Sequence, residues 1–256
     1  MKLSTYLLPL ALLTLGACAT DEPEETDEET DTEEPPPEET ALIRAAHFSP
    51  DGPAVDIFVN AGDEPAFAGA NFGDATAYAE LPVGSYDLQI SAAGTAAADA
   101  VFTVEGAALE KDISYTAIAH GYLSPPSEVD GGFTVTLLEN EVDDIADGLF
   151  RVQVVHAAAL GAFANVDVWS VGDPSNPVAL IPDFPYAAAV TADLPAGAYT
   201  VCLDVDDDAT CDATFALPEL TGGFINLIAT NDVAGVPFLV AVLEDGTTVR
   251  IDASAT

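Results

Sequence analysis

The chain has 256 residues, of which 5 are basic and 44 are acidic, and its formal charge of −39 accompanies a hydrophobic content of 49%. A nucleic-acid-binding protein needs a basic surface to neutralise phosphates, so this composition excludes that class. The apolar content suffices for a core and excludes a chain that is disordered throughout. Because no apolar run reaches the roughly 18 to 20 residues of a spanning helix, a polytopic membrane protein is excluded too.

The N-terminus has the features of a bacterial lipoprotein signal peptide over residues 1–17. Lys2 precedes a short apolar stretch, and Leu15-Gly16-Ala17-Cys18 resembles the lipobox, in which the signal peptide is cleaved and the cysteine thiol is acylated. We therefore predict an acylated Cys18, a lipid membrane as partner and an extracytoplasmic location. Ala19 and Thr20 favour the outer membrane or cell surface. The alternative is an ordinary secretory signal with a chance cysteine.

Residues 18–40 combine the predicted acylated cysteine with a strongly acidic segment. Residues 21–40 contain 12 acidic residues, four prolines and four threonines, and no aliphatic side chain. Such a segment buries too little surface to offset its ordering entropy, and like-charge repulsion extends it. It is predicted to be a disordered acidic linker, with an acidic binding tail as the alternative.

From Ala41 onward the sequence contains two copies of one pattern. The matching segments are Ile43–His47 with Val152–His156, Val55–Val59 with Val166–Ser170, Leu81–Tyr86 with Leu194–Tyr199, and Tyr115–Ala119 with Ile225–Ala229. Matching positions such as His47 and His156 lie about 110 residues apart, which is typical of a tandem domain and too long for a solenoid unit. We predict one domain at 41–142 and a second at 149–256.

Apolar and polar side chains alternate within each copy, as in Val55–Val59 and Tyr86–Ile90, which predicts half-buried strands. Turn sequences rich in Gly and Pro separate these segments, and no convincing apolar helical stripe follows the signal peptide. The sequence therefore predicts an all-β protein with two tandem immunoglobulin-like β-sandwich domains after the disordered acidic linker.

The first copy resembles a known family in the segments His47–Val59, Phe72, Tyr78 and Leu81–Tyr86. Together they are similar to the DUF4397 domain of bacterial and archaeal surface proteins. The second copy keeps the histidine, the Val-Asp-Val strand and the Leu-Pro-Ala-Gly-Ala-Tyr turn, but has Ala158–Gly161 in place of the Ser-Pro-Asp turn. The resemblance implies an extracytoplasmic β-domain, commonly found in repeats, that has no assigned activity.

Two histidines occupy equivalent positions just before strands that carry an aspartate: His47 with Asp56, and His156 with Asp167. A histidine oriented by a carboxylate is part of hydrolytic machinery, but no nucleophile stands in a recognisable elbow. The pattern favours a structural imidazole that binds a turn or the neighbouring aspartate, and no catalytic residue is predicted. A hydrolase with a site at His47 is the alternative.

Cys202 and Cys211 flank a predicted acidic hairpin. In an oxidising compartment the two cysteines that remain after the lipobox are predicted to form a disulfide. The alternative, a redox pair, lacks Cys-x-x-Cys spacing.

Asp204, Asp206 and Asp208 alternate inside that hairpin, like the first half of a calcium-binding loop. Ala209 then stands where such a loop needs a glycine, and Phe215 stands where it needs a bidentate glutamate. The pattern favours a solvated acidic hairpin, with a weak cation site as the alternative. No resident metal and no cofactor are predicted.

The aromatic residues suggest two interpretations. A carbohydrate-stacking platform is one of them and core packing is the other; the residues concerned are Phe58, Phe72, Tyr86, Trp169 and Tyr199. We predict a non-enzymatic, lipid-anchored cell-surface protein with a structural, adhesive or ligand-presenting role, with an envelope or extracellular polymer as its partner. The alternative is an accessory carbohydrate-binding module of the cell envelope, and the sequence leaves the oligomeric state open.

Overall fold

The computed structural model describes residues 38–126, 131–171, 178–208 and 210–254. Over these ranges the protein is all-β, as predicted, and its helical elements are two single-turn 3₁₀ helices at Ala97–Asp99 and Gly161–Phe163. No helix in the same ranges is long and apolar enough to cross a membrane. The predicted signal peptide, Cys18 and residues 18–37 of the predicted linker lie outside the described residues.

The first eight strands form two four-stranded sheets, which we call the first sheet pair. They are β1 (Thr40–Phe48), β2 (Val55–Val59), β3 (Phe67–Ala70), β4 (Ala79–Pro82), β5 (Gly84–Ala92), β6 (Phe102–Leu109), β7 (Ser114–His120) and β8 (Thr134–Asn140). The first inner sheet has the order β4-β1-β7-β8, and the first outer sheet has the order β3-β2-β5-β6.

The next nine strands form the second sheet pair. They are β9 (Leu149–His156), β10 (Asn165–Ser170), β11 (Val178–Pro185), β12 (Ala189–Pro195), β13 (Thr200–Asp204), β14 (Ala213–Ala216), β15 (Gly223–Asn231), β16 (Pro237–Val242) and β17 (Thr248–Asp252). The second inner sheet has the order β12-β9-β15-β16-β17, and the second outer sheet has the order β11-β10-β13-β14.

The two sheet pairs have the same connectivity. Adding eight to each strand number of the first pair gives the order of the second, to which β17 adds an edge. β1 is parallel to β7 with Ile43 opposite Tyr115, and β9 is parallel to β15 with Val152 opposite Ile225. In an immunoglobulin domain the first two strands are neighbours in one sheet. Here β4, and not β2, pairs with β1, so the strand order differs from that of an immunoglobulin domain.

A turn between two strands has the same tyrosine contact in both pairs. The hydroxyl of Tyr86 donates to the carbonyl of Pro82 at 2.7 Å, and the hydroxyl of Tyr199 donates to the carbonyl of Pro195 at the same distance. Each tyrosine thus satisfies a carbonyl at the end of the preceding strand, where the ladder stops.

Three apolar clusters form the core. One fills the first sheet pair and includes Ile57 and Leu88, and a second fills the second pair and includes Val168 and Leu227. The third contains residues of both inner sheets, among them Ile118 and Ile228, together with Phe48, Val155 and Phe238. The inner sheets therefore pack against each other, and the described residues form one compact unit of four β layers.

Burial along the inner strands follows from this packing. All seven residues of β7 are buried, and so are eight of the nine residues of β15. Strands covered on both faces have this pattern. The predicted half-buried alternation is seen in the first outer sheet, where Leu88 and Ile90 of β5 are buried and Asp87 is exposed.

Polar side chains cross the contact between the inner sheets, with Arg44 at their centre. Arg44 is fully buried. Its guanidinium donates to the hydroxyl of Thr116 at 3.0 Å, to the side-chain carbonyl of Asn226 at 2.7 Å, and to the backbone carbonyl of Leu243. It also lies 4.7 Å from the centre of the Tyr78 ring. Since Asn226 and Leu243 belong to the second pair, Arg44 joins the two pairs.

Equivalent positions of the sequence repeat meet in this network. Arg44 pairs with Thr116 across β1 and β7, and Gln153 pairs with Asn226 across β9 and β15. The Asn226 amide donates to the side-chain carbonyl of Gln153 at 2.8 Å and to that of Asn140 at 3.2 Å. The two inner sheets thus contact each other through matching faces, as the subunits of a symmetric dimer do.

Candidate functional site

His47 is held by the turn that follows β1. Its Nε2–H donates to the carbonyl of Pro53 at 3.0 Å, while its Nδ1 faces the Ser49 amide at 3.4 Å. A side chain at Gly52 would come within 2.9 Å of the imidazole, so the turn needs glycine there. Burial lowers the pKa of His47, which keeps the ring neutral at pH 7. These are the contacts of an imidazole that fixes a turn.

His156 has an equivalent place at the end of β9. Its Nε2–H donates to the carbonyl of Phe163 at 2.6 Å, and burial lowers its pKa. Its Nδ1 is buried without a hydrogen-bond partner. The ring lies against those of Phe184 and Tyr186, with centres 5.6 and 6.1 Å away.

The aspartates paired with these histidines in the sequence bind elsewhere. Asp56 accepts the Gly69 amide at 2.7 Å and the Gly94 amide at 2.8 Å, and Asp167 accepts the Asp183 amide at 2.7 Å. Gly69 and Asp183 both have positive φ and lie at a shift of strand register. Each aspartate therefore stabilises a β-bulge in its outer sheet, while the histidines lie in the inner sheets. The structure does not bring either His-Asp pair together.

The third histidine was not singled out by sequence reasoning, because the second copy has Thr230 at its equivalent position. His120 is fully buried at the contact between the two pairs. Its Nδ1 lies 2.9 Å from the hydroxyl of Tyr186, and its Nε2 lies 2.9 Å from the hydroxyl of Thr136. Burial, with a smaller effect of His156, lowers the pKa of His120 to about 4. It is neutral at pH 7 and serves as a hydrogen-bonding link between the sheet pairs.

The predicted disulfide is confirmed: Cys202 at β13 is bonded to Cys211, with Cα atoms 5.5 Å apart. The loop that it closes holds the three predicted aspartates, and one carboxylate oxygen of each lies within 4.8 Å of the others. Asp204 is buried and accepts the Asp207 amide at 2.9 Å, whereas Asp206 and Asp208 are exposed. Desolvation and the neighbouring carboxylates raise the pKa of Asp206. Ala209 lies outside the described residues, and Phe215 is fully buried in the core.

None of the five aromatic residues considered for sugar stacking is exposed. Phe58 is 2% exposed, and Phe72 packs edge-to-face on Phe238 of the other sheet pair. Tyr199 packs edge-to-face on Phe150. Since a stacking platform presents its rings to solvent, the burial of Phe58 and the ring contacts of Phe72 and Tyr199 favour packing for these three residues.

An apolar cavity of about 250 Å³ lies between the two sheets of the second pair. Its lining consists of aliphatic and aromatic residues, including Val152, Val168, Val201 and Leu227. No pattern in the sequence indicates this cavity, because its lining residues are of the same types as ordinary core residues.

The cavity reaches the surface between the edge strands β11 and β12. Leu180 of β11 and Val190 of β12 line it, and they are 40% and 37% exposed. The corresponding space in the first pair, lined by Val55, Ile57 and Leu88 among others, has a volume of about 20 Å³. The strand order is the same in both pairs, so this order alone does not create the larger cavity.

Residues 41–169, half of the chain, match the family described as "Domain of unknown function (DUF4397)". The chain belongs to the DUF4397 family. The match covers the first sheet pair and continues through β9 and almost all of β10. Comparison with curated proteins gives no match.

Proposed function

We propose that this DUF4397 protein is a non-enzymatic, lipid-anchored cell-surface protein. Its two tandem β-sandwich modules form one rigid body that is displayed on the acidic linker. The role is structural or adhesive, with an envelope or extracellular polymer as partner. Outer-membrane or cell-surface placement through acylated Cys18 is part of the proposal.

The observation that carries this proposal is the buried contact between the inner sheets. A module joined to its neighbour by a flexible linker changes its relative orientation freely, whereas two modules with a common buried network hold a fixed geometry. Arg44 contributes to that network from the first pair, and Asn226 contributes from the second. The equal strand orders and the matched contacts of Tyr86 and Tyr199 support a tandem origin of the two modules.

Two further observations support an extracytoplasmic location. The bond between Cys202 and Cys211 is of a kind that persists in oxidising compartments. Residues 41–256 carry 4 basic and 32 acidic side chains, and one of the basic ones, Arg44, is buried. A surface this acidic resists aggregation and suits a cation-rich exterior.

Anchoring is tested with Cys18→Ser in intact cells. The native chain should partition into the detergent phase and should be cut by protease added to whole cells, whereas Cys18→Ser should move to the aqueous phase. The double variant Cys202→Ala/Cys211→Ala is the control and should stay in the detergent phase. Equal partitioning of the native chain and Cys18→Ser would contradict the anchor.

The adhesive role needs a separate experiment. Cells with the full chain are compared with cells whose chain ends after Thr40, which keeps the anchor and the linker. Binding of whole cells to purified envelope polymer should fall to the level of cells without the gene product when residues 41–256 are missing. Unchanged binding would contradict the proposed role.

A further inference from the structure

We infer that the cavity of the second sheet pair is a binding site for a single alkyl chain with an uncharged end. The inference does not depend on the proposed anchoring or on the adhesive role. It is based on the volume of the cavity, its lining, its opening and the charge around it.

The lining decides what part of a ligand is buried. Its side chains are aliphatic or aromatic, and the hydroxyl among them, on Tyr199, already donates to the carbonyl of Pro195. A buried ligand group that needs a hydrogen bond would find no free side-chain partner in this lining, and burying it would be unfavourable. The buried part of the ligand is therefore hydrocarbon.

The volume sets the size of that hydrocarbon. An apolar cavity of about 150 Å³ stays dry and binds benzene, which has six carbons. In proportion, the 250 Å³ of this cavity holds roughly ten carbons. The first pair, with about 20 Å³, has no room for such a ligand, so one site per chain is expected in the described sheet pairs.

The opening of the cavity limits the shape of the ligand, and the charge around the opening limits the ligand's end group. Leu180 and Val190 make an apolar entrance between two edge strands, through which a narrow chain enters end-on. Asp183 and Asp193 are exposed on the same two strands; Arg151 pairs with Asp193, and Asp183 adds to the large negative charge of the folded part. An anionic head group is repelled by this field, and an uncharged one is not.

The test is calorimetric titration of the full chain, carrying Cys18→Ser and purified without detergent, with a series of straight-chain 1-alkanols. Affinity should rise about three- to fourfold for each added methylene from hexan-1-ol and level off near decan-1-ol, because further carbons remain outside the cavity. Decan-1-ol should bind at least fivefold more tightly than decanoate. Absence of saturable binding, or an affinity independent of chain length, would overturn the inference.

A filled cavity provides the decisive comparison. Ala192 lines the cavity, and Ala192→Phe should weaken decan-1-ol binding at least tenfold while raising the melting temperature. Val101→Phe, at a residue of the first pair that is 55% exposed, adds a ring on the surface and should leave binding unchanged. If Ala192→Phe does not fold, Leu180→Asp places a charge at the entrance and should weaken binding to the same extent. An unchanged affinity for decan-1-ol in both Ala192→Phe and Leu180→Asp would overturn the inference.

Discussion

Arg44 joins the two sheet pairs through three hydrogen-bond acceptors, two of which belong to the second pair. It lies inside the repeated segment Ile43–His47, yet its equivalent in the second copy is the neutral Gln153. Burial lowers the pKa of Arg44, and Glu244 and Asp245 oppose this effect from a distance. The guanidinium stays charged because its normal pKa is so high. The contribution of Arg44 to the stability of the fold depends on three acceptors that match the planar geometry of its guanidinium.

We expect Arg44→Lys to lower the free energy of unfolding by about 2 to 3 kcal/mol. Lysine keeps the positive charge and its desolvation cost but lacks the planar guanidinium with its several N–H donors. Buried acceptors of Asn226 or Leu243 are then left without a donor. Urea unfolding measures the change. Lys111→Arg is the control: its ion pair with Glu39 is exposed, so a change within about 0.5 kcal/mol is expected. Equal effects of the two substitutions would contradict the role given to Arg44.

His120 predicts a pH dependence of stability. Its pKa is about 4 in the folded state, against about 6.5 when unfolded, so below pH 6.5 the unfolded chain binds the extra proton. Stability is therefore lost as the pH falls from 6.5 towards 4, by about 3 kcal/mol for this group. Urea unfolding at pH 7 and pH 4 should show that His120→Gln loses about that much less than the native chain. Parallel losses in the two proteins would argue against a neutral buried imidazole.

Among the strands and turns, the sequence predicted correctly the features that depend on a local pattern of residues. Alternation located strands such as β5. The position of the two remaining cysteines on either side of a predicted hairpin predicted the disulfide correctly. The pairing of each histidine with an aspartate was different, because nearness in sequence does not decide which sheet a strand joins. β1 and β2 lie in different sheets, so His47 binds the turn after β1 whereas Asp56 binds the β-bulge at Gly69.

The hairpin of β13 and β14 gives a prediction of its own. The disulfide closes a short loop, and in the chain-entropy model this stabilises the fold by roughly 2.5 to 3 kcal/mol. Cys202→Ala/Cys211→Ala should lower the free energy of unfolding by that amount, since the strand pairing of Val201 with Phe215 remains. Chemical denaturation measures it, and reductant should have the same effect on the native protein but none on the variant.

For the molecule as a whole, the alternation of apolar and polar side chains indicates that one face of each strand is apolar. It does not identify what covers the other face. In the outer sheets that face includes exposed residues such as Asp87, and in the inner sheets it meets the opposite sheet pair. Apolar runs such as Phe238–Val242 are typical of strands covered on both faces, so they are the sequence feature that indicates the buried inner sheets. The cavity had no such signal, because its volume depends on the spacing of two sheets.

Cutting the chain between the two sheet pairs tests their buried contact most directly. Residues 141–148 join β8 to β9 outside any strand, so a protease site can be placed at 144–148. After cleavage the two halves should elute together in size-exclusion chromatography at micromolar concentration and separate in denaturant. Ile228→Asp, which places a charge in the fully buried contact, should let the cut halves separate. Separation of the native halves in buffer would contradict the four-layer body.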